Sequence, residues 1–247
     1  MEPRRLAPLA VGIVLVVTGC GNASQPESGP ARNPAPVSSP YEPRIDPTDF
    51  VTKIDNPYLP LPVGRTLVYE GGSEGERERV EVTVTHQTRE VMGVMATVVR
   101  DRAFVEGALV EDTFDWFAQD RWGNVWYFGE TTAEYEDGKV VSRAGSWEAG
   151  VDGAMPGVVM LADPRIGDRY RQEFYAGEAE DIGRIRAEEE SVAVPAGSYQ
   201  DVLVTEDWTP LEPDVLEHKS YAPGVGVVLE QVVKGGSGVL RLVQILG

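Results

Sequence analysis

Hydrophobic positions along this chain recur mostly with period two. Arg79-Val80-Glu81-Val82-Thr83-Val84-Thr85 alternates strictly and sets Val80, Val82 and Val84 on one face of a strand. Residues 91–100 are rich in β-branched side chains and are interrupted by Gly93, which predicts a bulge. Two aromatic-rich runs, 109–118 and 124–129, are joined by Gln119-Asp120-Arg121-Trp122-Gly123, a hairpin signal with Gly closing a short loop. Asp137-Gly138, between Glu134-Tyr135-Glu136 and Val140-Val141-Ser142, is a stronger one. Further strands are predicted over 169–175, 189–194, 199–208, 217–221, 225–233 and 239–246, with turns at Pro195-Ala196-Gly197 and at 234–238.

Helical periodicity is scarce. Residues 156–162, opened by Pro156 and stopped by Asp163-Pro164, form one candidate, and the stretch 178–187 a second. No βαβ spacing and no internal repeat occurs. The pattern predicts a mostly β fold: a single antiparallel meander, curled sheet or partly open barrel, with one or two short helices.

The N-terminal stretch follows a different rule. Arg4 and Arg5 precede an apolar run from Leu9 to Val17, too short to span a bilayer comfortably, and small residues lead into Cys20. Val17-Thr18-Gly19-Cys20 resembles the lipobox of bacterial lipoproteins. That resemblance implies a signal peptide over 1–19, acylation of the Cys20 thiol, by palmitate or a similar chain, and an extracytoplasmic protein anchored to the cell membrane or envelope. Residues 20–47 carry Pro26, Pro30, Pro34, Pro36, Pro40, Pro43 and Pro47 and read as a disordered tether. Residues 48–247 then form a single β-rich domain. No second apolar segment reaches the length of a membrane helix.

Composition narrows the partners. With 22 basic and 40 acidic residues the net charge is −18, which opposes binding to nucleic acid and to anionic lipid headgroups. Cys20 is the only cysteine, so an acylated chain has no disulfide, no thiolate catalysis and no cysteine-based zinc site. The fold rests on its core, and 42% hydrophobic residues suffice for one.

Two constellations carry candidate chemistry. Asp112, Asp115, Asp120, Asn124 and Glu130 surround one predicted hairpin and supply the oxygen ligands that Ca²⁺ takes, although their spacing is not that of an EF-hand. Turn chemistry accounts equally well for Asp120 and Asn124. Trp116, Trp126, Phe128 and Trp147 either pack a core or line an apolar pocket. His86 and His218 are too few for a three-histidine zinc site. No nucleophile elbow, Walker loop or dinucleotide fingerprint is present, so no cofactor is expected beyond a Ca²⁺ ion.

Several motifs are similar to those of an uncharacterised family of bacterial cell-envelope lipoproteins. They are Phe114-Asp115-Trp116-Phe117-Ala118-Gln119-Asp120, Gly123-Asn124-Val125-Trp126-Tyr127-Phe128-Gly129-Glu130 and Gly145-Ser146-Trp147-Glu148-Ala149-Gly150, followed by Val194-Pro195-Ala196-Gly197-Ser198-Tyr199 and Tyr221-Ala222-Pro223-Gly224-Val225-Gly226. The family has no assigned activity. The last two motifs also look like those of envelope proteins whose curved sheet cradles lipid or other apolar cargo. The expectation is a membrane-tethered lipoprotein that binds an apolar or amphipathic ligand, or a partner, without catalysis. A hydrolase using acids near Asp115 and Glu130, and a Ca²⁺-stabilised structural module, are the alternatives.

Overall fold

The computed structural model of the chain describes residues 33–37, 40–73 and 75–247. The signal segment 1–19 and Cys20 lie outside the described residues. Among the described residues are sixteen strands: β1 (Phe50–Val51), β2 (Thr66–Gly72), β3 (Glu78–Val91), β4 (Val94–Val105), β5 (Ala108–Asp120), β6 (Val125–Glu136), β7 (Lys139–Ser142) and β8 (Trp147–Glu148) come first. They are followed by β9 (Met155–Met160), β10 (Arg169–Arg171), β11 (Glu173–Phe174), β12 (Ile182–Val194), β13 (Gly197–Trp208), β14 (Leu216–Ala222), β15 (Gly226–Lys234) and β16 (Val239–Leu246). All pairings are antiparallel, in the order β10-β12-β13-β14-β15-β16-β2-β3-β4-β5-β6-β9-β11. β1 pairs with β5, and β7 and β8 with β6.

The two ends of that order are neighbours in the chain. Only Gln172 separates β10 from β11, so one bent segment holds both edges and the sheet nearly closes into a barrel. The closure needs a bare backbone at Gly157 on β9. A Cβ there would lie 2.3 Å from the carbonyl carbon of Gln172.

Turn chemistry explains three of the hairpins. Met92-Gly93, Glu106-Gly107 and Asp137-Gly138 each pair two residues with positive φ, the primed geometry that matches strand twist. Gly93 is thus the turn between β3 and β4, not the bulge that composition suggested. The bulge lies further back, between Val84 and Thr88.

Neither expected helix forms. Residues 156–160 belong to β9, where Val158 and Met160 pair against β6 and are fully buried. Residues 178–187 run from a turn into β12, which pairs along its length with β13. In both places strand partners outweigh weak local helical signals. The helical structure described is one 3₁₀ turn, Pro47–Asp49, capped by the Asp46 side chain.

Of the expected tether, residues 20–32, 38 and 39 lie outside the described residues, and the described part packs on the domain. Residues 33–37 and 40–47 dock along the closing segment. Asn33 Nδ2 donates to the Arg169 carbonyl at 2.7 Å, the Arg171 N–H donates to the Ala35 carbonyl at 2.8 Å, and Pro36 bridges Tyr170. Ala35 is fully buried, and the buried Tyr41 donates its hydroxyl to the Pro156 carbonyl at 2.8 Å and meets Phe174 edge-on. Proline density forbids a central strand, yet a strand edge still accepts such a segment through the neighbouring amides.

Candidate functional site

Strand alternation builds the site. Val80 and Val82 on β3 face the same way as Glu78, and Val99 and Ala103 on β4 face the same way as Asp101. Cross-strand register sets Val82 opposite Asp101, Ala103 opposite Glu111 and Val99 opposite Asp115. These residues wall a cavity of about 460 Å³ inside the curved sheet, completed by Leu67 and Tyr69 on β2, Lys219 and Tyr221 on β14, Val227 and Glu230 on β15, and Leu240 on β16. Leu59, Pro60 and Leu61 also line it. A second hollow of about 370 Å³ shares Glu78, Glu230 and Leu240 with it and opens beside the Gly235-Gly236-Ser237-Gly238 turn.

The cavity is apolar in area and acidic in charge. Glu78, Asp101, Glu111, Asp115 and Glu230 line it, against Arg65 and Lys219. Burial, followed by the neighbouring Glu111 and Glu230, pushes the Asp101 carboxyl up to about 7. Burial and then Asp101 raise Asp115 to about 7, although its Oδ1 accepts a 2.8 Å hydrogen bond from the Tyr127 hydroxyl. Glu130, directly opposite Asp115 on β6, is raised to about 8 by burial and by Asp115. Lys219 is pushed well above its ordinary value by Glu230, and its Nζ lies 3.6 Å from Asp207 Oδ2.

The five candidate cation ligands are split among three places. Asp112 is engaged by Arg100 in a two-pronged pair, with both contacts at 2.7 Å. Asp120 and Asn124 sit at the hairpin tip. There Asp120 accepts from the amides of Trp122 and Asn124, from Asn124 Nδ2 and from Trp126 Nε1, while Asn124 Oδ1 accepts from the Ala162 amide. Asp115 and Glu130, in the third place, stand opposite each other across β5 and β6. Among the described residues, no three His, Asp, Glu or Cys side chains are placed to hold a metal ion.

The four aromatic candidates lie away from the cavity. Trp126 and Phe128 pack under Phe50 with edge contacts at 6.2 and 5.5 Å, and both are buried. Trp116 lies under the Arg89 guanidinium at 3.9 Å, and Trp147 meets Tyr127 edge-on. Trp116 and Trp147 border a surface groove with Arg89 and Glu148. The aromatic rings on the cavity are instead Tyr69, Phe117 and Tyr221.

Glu78, Asp101, Glu111, Glu230 and Lys219 were not among the residues singled out from sequence. A signal for some of them was present: a charged residue in phase with the apolar positions of an alternating strand, as Glu78 is with Val80 and Val82.

No protein-family model and no curated protein matches the chain. One solved structure, a candidate lipoprotein from Parabacteroides distasonis, aligns over 77% of this chain and 99% of its own with 11% identity and a TM-score of 0.40. A likeness so distant supports no conclusion about function.

Proposed function

We propose that this protein is an envelope lipoprotein, held at the membrane by an acylated Cys20, whose barrel binds one amphipathic ligand. The observation that carries the reading is the cavity: a preformed hollow with an extended apolar wall and a few polar groups converging on one region, the usual construction of a small-molecule site.

The crowding of Asp101, Asp115 and Glu130 also favours a second reading, acid-dependent hydrolysis. Burial raises all three into the range a general acid or base uses. Binding is the preferred reading because of the extended apolar wall of the cavity.

Two measurements test the proposal. A fluorescent apolar probe titrated into the full chain carrying Cys20→Ser is expected to saturate at about one equivalent. Ala103→Phe, which fills the cavity, is expected to abolish saturation while the protein still melts cooperatively. Probe binding that survives the filled cavity overturns the site. For the anchor, Cys20→Ala is expected to move the protein from the membrane fraction to the soluble fraction or to leave an unprocessed precursor, because acyl chains supply about 0.8 kcal/mol per buried methylene. A correctly processed, membrane-bound Cys20→Ala protein refutes it.

A further inference from the structure

The ligand-binding reading leaves the nature of the polar end of the ligand open, and the charges in the cavity address it. Five carboxylates line the wall against two cations. The two cations are already engaged. Lys219 stands against Asp207 and lies in the field of Glu230. Arg65 donates to the carbonyls of Gly224 and Pro60, not to a carboxylate.

Asp101 is the group left over. It is half-buried and lines the cavity, and it has no hydrogen bond and no ion pair among the described residues. The four charges acting most strongly on it are Glu111, Glu230, Glu130 and Glu78, all of its own sign. Asp101 is half-buried, so a guest that shuts water out of the cavity must replace the hydration its carboxylate loses with a counter-charge or a donor.

The rest of the wall suits the same kind of guest. Tyr69, Phe117 and Tyr221 line the cavity, and aromatic rings attract cations, most strongly where water is excluded. Leu59, Leu61, Val80, Val82 and Leu240 offer an apolar bed next to the charged zone. An anionic head group would meet five like charges. A hydroxyl would give Asp101 a hydrogen bond but leave the excess of charge in place.

We infer that the cavity takes a cationic amphiphile, an ammonium head group on an apolar chain, with Asp101 as its principal counter-charge; the inference rests on the binding reading above. The acidic wall provides selectivity by charge, and the valine and leucine wall provides most of the buried area.

The test uses three probes with the same ten-carbon chain: decyltrimethylammonium, decanol and decanoate. Each displaces a fluorescent apolar dye from the full chain carrying Cys20→Ser at pH 8. Decyltrimethylammonium is expected to bind at least about tenfold more tightly than decanol, with decanoate weakest. Asp101→Asn is expected to erase most of that preference while the chain keeps its cooperative melt and still binds decanol. Glu78→Gln, at the other end of the acidic wall, is expected to reduce the preference less. Equal affinity for all three probes, or a preference unchanged in Asp101→Asn, overturns the charge inference and leaves amphiphile binding intact. Failure of every probe to displace the dye overturns both. A Ca²⁺-dependent rise in melting temperature with no ammonium binding also overturns the inference, because the acidic wall then serves a metal ion.

Discussion

Asp120 and Asp101 are carboxylates of the same three-strand ribbon, β4–β5–β6, in opposite circumstances. Asp120 has four donors between 2.8 and 3.0 Å and is 2% exposed. The hairpin tip around it is equally complete: Gln119 Oε1 accepts from the amides of Asp55 and Asn56, and Asn56 Nδ2 donates to the carbonyls of Gly123 and Leu161. Asp101, half-buried on the cavity wall, has no donor among the described residues. A satisfied carboxylate holds a backbone in place, whereas an unsatisfied one beside empty space is an invitation to a guest. Acidity alone did not separate them; the count of donors did.

The comparison breaks if the two residues respond alike to mutation. Asp120→Ala strips acceptors from two backbone amides, an indole and an amide side chain. Each buried donor left alone costs about 1–3 kcal/mol, so a loss of about 3 kcal/mol or more is expected as a lower urea midpoint. A loss below about 1 kcal/mol would mean that water satisfies those donors. The strap at 33–47 is next in size. Removing residues 1–47 exposes the sites of Ala35 and Tyr41, and burying one large side chain contributes about 1.5–3 kcal/mol. A melting temperature at least about 4 °C below that of a chain lacking only residues 1–32 is expected. Equal melting temperatures would return residues 33–47 to the status of a tether.

The smallest effect sharpens the other side of the comparison. The Asp101 carboxyl titrates near 7 in the fold, above its unfolded value of about 4. Its contribution to stability is therefore complete below about pH 4 and is lost as pH rises through 7. Asp115 shifts in the same direction, to about 7, and Glu130 to about 8. The melting temperature is expected to fall between pH 5 and pH 8.5. Asp101→Asn is expected to flatten that fall and to gain on the order of 1 kcal/mol at pH 8.5, about 3 °C, with little change at pH 5. A variant that melts lower than the parent at pH 8.5 would show that Asp101 has a partner in solution.

Much of the fold was legible in the sequence. The alternation of Val80, Val82 and Val84 and the Asp137-Gly138 turn are local signals, and strands obey them. What misled was local too: Pro156 imitates a helix start, and the prolines between 34 and 47 imitate an unpacked linker. Their outcomes were decided by partners far along the chain, β6 for Val158 and the closing segment for Ala35. The candidate site was read less well. Aromatic density at Trp126 and Phe128 marked a packed layer under Phe50, because large rings fill space wherever they fall. The acids of the cavity are scattered over β3, β4, β5 and β15, so only the register of the barrel brings them together.

The pairing of β16 with β2 has a consequence in time. Thr66 lies opposite Leu246, so the first long strand waits for the last one. Hairpins such as β3–β4 and β4–β5 close over short loops, whereas this junction must gather nearly the whole domain, the slow step in folding topologies of this kind. Leu67 and Tyr69 on one side of the junction and Leu240 on the other are walls of the cavity. The hollow therefore does not exist in a half-made molecule. A guest can only reward the finished ring, and its first effect on the protein would be to slow the ring's reopening.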